Sequence, residues 1–149
     1  MIEIGAMTAA DIEEVAAIEQ QSVSPWSVSQ LAEEMENQNA LILVARKLGE
    51  IVGWCTVRTI WPETELLKIA VAGGARKRGV ATALLTEIIA KLVHTRFKSL
   101  FIEVRSNNRS ALKLYKKYGF SHIDTRGAYY HSPADDALIL MKQLTGNNQ

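Results

Sequence analysis

The chain has 149 residues, 48% hydrophobic and 22% charged, with a formal net charge of +1. A chain of that length can bury its own apolar core, and so ordinary a composition excludes disordered and fibrous classes. The single cysteine, Cys55, excludes an internal disulfide and a thiolate metal cluster. The start, "MIEIGAMTAADIEE", is acidic and lacks the basic-then-apolar plan of a secretory signal. No apolar run approaches the ~20 residues that span a bilayer, so a cytoplasmic location is expected, with no membrane partner.

In chain order, "IEIGAMT" reads as a first strand. Thr8 and Asp11 resemble a helix-opening cap, and Ile12, Val15, Ala16 and Ile18 form a helical stripe to about residue 21. "SVSPWS" breaks the chain, and Ser27 with Gln30 makes a capping box for a short helix with Val28, Leu31 and Met35 inward. "ALILVARK", a turn at "LGE" and "IVGWCTVRTI" predict a β-hairpin, with Cys55 a buried structural thiol. "ELLKIAVA" is another strand, and after "GGARKRG" a helix carries Val80, Leu84, Leu85, Ile88, Ile89, Leu92 and Val93 on one face. "SLFIEVRS" is a strand; Asn107 or Asn108 caps the next helix, and Gly119 ends it. "FSHIDTR" and "ALILMKQL" read as closing strands around a "GAYYHSPADD" loop. The expectation is a single α+β domain over residues 1–144, mixed in strand direction, with a βαβ unit at 64–105 and a frayed tail at 145–149.

The small net charge hides a segregation. Residues 68–117 hold 12 basic and 2 acidic residues, while the remainder holds 5 basic and 14 acidic. The middle of the chain therefore suits a polyanion. Arg76, Lys77 and Arg78 stand just ahead of a helix start, the positive end of a helix dipole, where cations are out of place unless an anion joins them. Backbone N–H groups at such a start are free to bind phosphate, and Gly79 and Ala81 keep the approach open. Solvated helix faces are the ordinary alternative, and they account well for Lys113, Lys116 and Lys117. No Walker Gly-Lys-Ser/Thr and no GxGxxG is present, and no zinc module or RNP-like strand argues for nucleic acid.

The run Arg76-x-x-Gly79-x-Ala81 matches the [QR]-x-x-G-x-[GA] loop of the GNAT acetyltransferase superfamily. "LLKIAV" before it, "IEVRSNNRSALKLYKKYGF" after it and "YY…DDALILMKQL" at the end resemble the same superfamily in order and spacing. The chain is most similar to its RimI type, the ribosomal-protein-alanine N-acetyltransferases, whose "SPWS" region it shares at 24–27. That resemblance implies a central mixed, mostly antiparallel sheet of about seven strands with about four flanking helices. It implies acetyl-CoA as co-substrate, no metal, and a protein N-terminus as acceptor, that of a ribosomal protein in the subgroup. In the superfamily the loop holds the coenzyme's pyrophosphate, which here falls on Arg76, Lys77, Arg78, Gly79, Val80, Ala81 and Thr82. The resemblance also implies that the strand residues Ile69, Ala70 and Val71 bind the coenzyme, with a backbone N–H about Val71 meeting the oxyanion.

Strand alternation places Phe101, Glu103 and Arg105 on one face, with Glu103 an apolar-flanked carboxylate near a strand end. An α-amine of pKa near ~8 asks little of a base, so Glu103 is the general-base candidate. Its ordinary alternative is pairing with Arg105 or a neighbouring lysine. Tyr115 matches the family tyrosine of "ALxLYxxxGF" that returns a proton to the leaving thiolate; a plain core aromatic is the alternative. Tyr118, Tyr129 and Tyr130 are fallback acids without that motif position. Asn108 resembles the asparagine that bonds coenzyme A, unless it serves as the helix cap. Trp26, Glu103, Tyr129 and Tyr130 are the acceptor-side candidates. Glu33, Glu34, Glu36, Asp135 and Asp136 are expected to draw in a cationic N-terminus, and His131 replaces the proline that often follows "YY". His94, His122 and His131 lack metal spacing, and Cys55 has no activating neighbour in sequence. Two other functions stay open: a GNAT enzyme acting on a small-molecule amine or amino acid, and a non-catalytic acetyl-CoA sensor.

Overall fold

The computed structural model describes residues 1–131 and 133–144. The predicted tail at 145–149 lies outside the described residues, as does Ser132. Seven strands form one sheet in the order β1-β2-β3-β4-β5-β7-β6. They are β1 (Ile2–Ala6), β2 (Ala40–Lys47), β3 (Glu50–Ile60), β4 (Glu63–Val71), β5 (Ser99–Arg105), β6 (Ser121–His131) and β7 (Ala134–Gln143). Only β4 and β5 pair in parallel, joined by the expected βαβ crossover. Four α-helices flank the sheet: α1 (Ile12–Glu19), α2 (Val28–Met35), α3 (Val80–Leu92) and α4 (Arg109–Lys117).

Local chemistry sets these boundaries. Asp11 accepts from the Thr8 N–H at 2.8 Å, and a 3-10 turn over Ala9–Asp11 leads into α1. Ser27 and Gln30 exchange the two bonds of the predicted capping box, at 2.8 and 3.1 Å. The β2–β3 turn puts both Leu48 (φ +53) and Gly49 (φ +83) in the left-handed region, as a two-residue hairpin of matching twist requires.

Two cores lie on opposite faces. On one, Val80, Leu84, Leu85, Ile88 and Leu92 of α3 bury against Cys55, Val57, Leu66, Leu100, Ile102 and Val104, joined by Tyr115 of α4. Each such aliphatic side chain contributes ~1.5–3 kcal/mol. On the other face, Val15 and Ile18 of α1 and Leu31 of α2 pack on Val44 and Trp54.

Several expectations need correcting. The first strand stops at Ala6, short of the end of "IEIGAMT", and the first helix ends at Glu19, just past the last stripe residue Ile18 rather than at about residue 21. Val28, predicted to point inward, is 52% exposed, because the first residue of α2 overhangs the end of the core that Leu31 fills. The "GAYYHSPADD" stretch is not a long loop. β6 continues to His131 and pairs Tyr130 with Asp135 and His131 with Ala134. A pairing irregularity between Arg126 and Tyr130, with Ala128 at φ +50, absorbs the glycine-containing bend that looks like a loop in the sequence.

Candidate active site

The sheet has an opening at its centre. β4 and β5 pair from Glu63↔Ser99 to Leu66↔Ile102 and then diverge. On its other edge β4 continues along β3, but Lys68 pairs with Thr56 and Leu66 with Val57, so Leu67 is a bulge residue. A bulge bends its strand, and this one falls where β4 parts from β5. Beyond it, Leu67–Val71 lose their ladder partner on the β5 side, so backbone groups of this stretch are open to a ligand. Ile69, Ala70 and Val71 all lie on that stretch.

Glu103 is the first residue of β5 past the point of divergence. Leu100, Ile102 and Val104 are buried under α3 and α4, so Phe101, Glu103 and Arg105 face the other way, as alternation predicts. On that side α1 and α2 cover β2 to β4. Glu103 lies on that same face, half-buried, on the strand next to β4. Tyr130 donates its hydroxyl proton to Glu103 Oε2 at 2.9 Å, and the Arg105 guanidinium lies 4.0 Å above the Tyr130 ring. Among the described residues Glu103 makes no salt bridge, so the expected alternative of pairing with Arg105 is not what the fold does. Burial, the hydrogen bond to Glu103 and its charge hold the Tyr130 phenol well above its usual range, against the pull of Arg105.

Glu65 was not singled out in the sequence. It pairs with Phe101 across the parallel register and so shares the face of Glu103. Partial burial and the Glu103 charge raise its pKa, opposed by Arg58 and Arg126. This face of the sheet thus carries two neighbouring carboxylates, a setting that favours an incoming ammonium.

Tyr115 comes from the opposite face. It is 3% exposed and meets Phe120 edge to face at 5.5 Å. Burial, with a smaller contribution from Cys55, pushes its phenol well above the usual range, so it keeps its proton at neutral pH. Cys55 is fully buried and burial raises its thiol to about 12, which fits the predicted inert structural thiol.

The anion-binding loop connects β4 to α3. Lys77 (φ +62) and Gly79 (φ +84) are both left-handed, and a turn of this kind points successive N–H groups into one concavity. No side chain caps α3 at Gly79, and the first closing bond runs from the Ala83 N–H to the Gly79 carbonyl. The N–H groups of Val80, Ala81 and Thr82 thus lack intrahelical partners. Arg76, Lys77 and Arg78 are exposed and make no salt bridge among the described residues. An added Cβ at Gly79 would meet nothing within 4 Å, so the fold leaves that side open. These donors fit a diphosphate. Asn108 does cap α4, its Oδ1 accepting from the Ala111 N–H at 3.2 Å, so Asn107 is not the cap. The Asn108 amide NH2 keeps its donors for a ligand.

Trp26 stands apart from the tyrosines, edge to face with Trp54 at 5.6 Å, and lines a cleft of about 340 Å³ with Gln30, Glu33, Glu34, Asn37 and Arg58. Tyr129 is 45% exposed and packs on Tyr130 at 5.3 Å. The acidic lure is narrower than expected. Glu34 is buried and bonded to Thr56 and Arg58, Asp135 accepts from Ser106 and the Asn107 N–H, and Asp136 from the Ala128 N–H. The Ser106 bond chiefly lowers the Asp135 pKa. Of that set Glu33 and Glu36 remain exposed and uncommitted among the described residues. No cluster that could hold a metal ion occurs among the described residues, and His122 bonds the Asp124 carbonyl and Thr125. No helix among them is long and apolar enough to cross a membrane.

Residues 10–120 match the family model described as the acetyltransferase (GNAT) family. The chain is 33% identical to the ribosomal protein bS18-alanine N-acetyltransferase of Haemophilus influenzae over 132 residues, covering 88% of this chain and 89% of that one. It is 30% identical to N-alpha-acetyltransferase RimI of Mycobacterium tuberculosis, covering 95% and 92% respectively. The crystal structure of the ribosomal-protein-S18-alanine N-acetyltransferase from Escherichia coli superposes with a TM-score of 0.91 at 27% identity, over 100% of this chain and 99% of the other. A family match over most of its length, on a splayed sheet with an uncapped cationic helix start, makes this chain a member of the GNAT family, an acetyl-CoA-dependent N-acetyltransferase.

Proposed function

We propose that residues 1–144 transfer the acetyl group of acetyl-CoA to the N-terminal α-amine of a ribosomal protein in the cytoplasm, by direct attack and without an acyl-enzyme. The observation that carries this reading is Glu103 at the divergence of β4 and β5, half-buried and without a salt bridge among the described residues. Relatives named for alanine N-acetylation of ribosomal protein bS18 match over 89% and 94% of their own length, which supports the same acceptor class here.

The diphosphate of the coenzyme sits on the Val80, Ala81 and Thr82 N–H groups with Arg76, Lys77 and Arg78 around it, which relieves the conflict between those cations and the helix dipole. The thioester reaches the gap along Leu67–Val71, where a backbone N–H near Val71 receives the oxyanion. From the face that carries α1 and α2 the acceptor's ammonium meets Glu103 and Glu65. Glu103, directly or through one water, takes a proton and leaves the amine nucleophilic. The amine attacks the carbonyl, the C–S bond breaks, and Tyr115 gives its proton to the departing thiolate. Burial holds the Tyr115 phenol protonated at neutral pH, so it meets this step as a proton donor. Trp26, Tyr129 and Tyr130 wall the acceptor side.

The test is thiol release from acetyl-CoA with hexapeptides beginning Ala, Ser, Gly or Met, alongside a polyamine. Transfer to an Ala-initiated peptide at least tenfold above the polyamine is expected. Transfer to the polyamine alone would overturn the acceptor class, and coenzyme binding with no transfer to any amine would overturn the enzymatic reading.

A further inference from the structure

The segment between α1 and α2 is tied to β4 and the turn after it by a set of bonds that the proposed chemistry does not use. Glu19, the last residue of α1, is 0% exposed. Its Oε1 accepts from the Trp26 backbone N–H at 2.8 Å, and its Oε2 from the Trp54 indole N–H at 2.8 Å. Lys68 of β4 lies 3.3 Å from Glu19 Oε1. The same ammonium donates to Ser22 Oγ at 3.3 Å and to the Ser24 carbonyl at 3.1 Å. All three of its protons thereby have acceptors. One step earlier in the segment, Gln21 Oε1 accepts from the Gly73 N–H at 2.7 Å, in the turn that leads to the cationic loop.

We propose that Glu19 and Lys68 are positioning residues that fix the Gln21–Trp26 segment, and with it the acceptor-side wall, against the strand that carries the coenzyme. The proposal rests on the reading above that Trp26 borders the acceptor site. A buried ion pair is a poor source of stability compared with packed apolar side chains, so its presence here calls for another role. It supplies direction: an apolar pair would fill the space but would fix neither the Trp26 N–H nor the Ser24 carbonyl. Lys68 follows the bulge at Leu67 and belongs to the stretch unpaired on the β5 side, so it ties the acceptor wall directly to the edge of the gap.

The test compares Glu19→Gln/Lys68→Met, Gln21→Ala/Ser22→Ala and Trp26→Ala with the parent protein. Each is measured for the KM of an Ala-initiated hexapeptide, the dissociation constant of acetyl-CoA, and the melting temperature. In the first variant a glutamine accepts from only one of the two N–H donors, and methionine removes the ammonium it would strand. The expected result is a peptide KM raised at least tenfold with the acetyl-CoA constant within twofold of the parent. The second variant removes two ties from exposed or half-buried groups, and a threefold or greater rise in peptide KM is expected. If the first variant does not fold, the second alone decides. An unchanged peptide KM in a folded tie variant, while Trp26→Ala raises it, overturns the positioning role. An equal rise in KM and in the coenzyme constant also overturns it, showing only general loosening. If Trp26→Ala itself leaves the peptide KM unchanged, the acceptor-site reading fails instead.

Discussion

Replacing Gly53 by alanine tests whether the start of α3 is the coenzyme's anion site. A Cβ on Gly53 would stand 2.7 Å from Val80 Cγ1, 3.1 Å from the Ala70 carbonyl oxygen and 3.4 Å from Leu84 Cδ1. Restoring ordinary contact requires Val80 to retreat by about 0.7 Å, and the Ala70 carbonyl to shift by a few tenths of an ångström. Overpacking of this kind costs ~1–3 kcal/mol, offset by ~0.4–1 kcal/mol from the less flexible unfolded chain. A net loss of ~1–2 kcal/mol lowers the melting temperature by ~3–8 °C for a chain of this size. On the proposed coenzyme placement function suffers beyond that loss, because Val80 opens α3 and Ala70 lies on the stretch of β4 left unpaired on the β5 side. Losing one charge-assisted bond there, ~1.5 kcal/mol, weakens acetyl-CoA binding by about tenfold. Titration calorimetry with acetyl-CoA reads that constant, and Gly5→Ala, whose Cβ meets nothing within 4 Å, is the control. A lowered melting temperature with an unchanged coenzyme constant would refute the placement of the anion site at this helix start.

Glu103→Gln should lower kcat by ~10²-fold or more with a small change in coenzyme affinity, measured by thiol release. Tyr115→Phe keeps the ring packed on Phe120 and should lower kcat by ~10-fold or more at nearly parental stability; an unchanged kcat in either variant removes that residue from its assigned role. Arg76→Ala/Arg78→Ala should weaken coenzyme binding by ~10-fold at low salt and by much less at 0.5 M, because both cations are exposed and screened. Cys55 keeps a protonated thiol in the fold up to about 12, so a thiol reagent at pH 8 should label only the unfolded protein. The sign for stability follows: the unfolded thiol loses its proton from about 9, so the Cys55 contribution is full below that and declines as pH rises toward 12, measurable by denaturant titration against Cys55→Ser.

Much of this site is legible in the sequence because its signals are local. The cationic loop, the helix face of α3 and the alternation around Glu103 each lie within a run of at most about twenty residues, and each appears where expected. What the sequence does not display is non-local. Glu65 looks like an ordinary strand-edge carboxylate until the parallel register sets it beside Phe101. Glu19 does leave a trace, since it follows Val15 by four residues and so places a carboxylate on the apolar face of α1, but its partners Trp54 and Lys68 come from β3 and β4. The length of β6 is hidden for a different reason. Gly127 and Ala128 read as a loop, whereas pairing with β7 carries the strand past them through an irregularity. The acidic set is narrowed on the same ground, since no local pattern reveals that Glu34 is committed to Thr56 and Arg58.

The base and acid candidates belong to different faces of one sheet, and this division bears on how the reaction is arranged. Glu103 is on the face that carries α1 and α2, while Tyr115 is enclosed with α3 and α4. An intact β4–β5 ladder would separate them by a layer of backbone. The bulge at Leu67 and the loss of pairing after Leu66↔Ile102 open that layer at the level of Glu103. Donor and acceptor can therefore enter from opposite sides and meet only in the gap. With these candidates the proton taken from the amine and the proton given to the thiolate would pass on different faces of the sheet, one at Glu103 and one at the buried Tyr115 phenol. Such an arrangement needs no group to switch between base and acid within one turnover, which is why a carboxylate and a phenol of very different basicity can serve a single transfer.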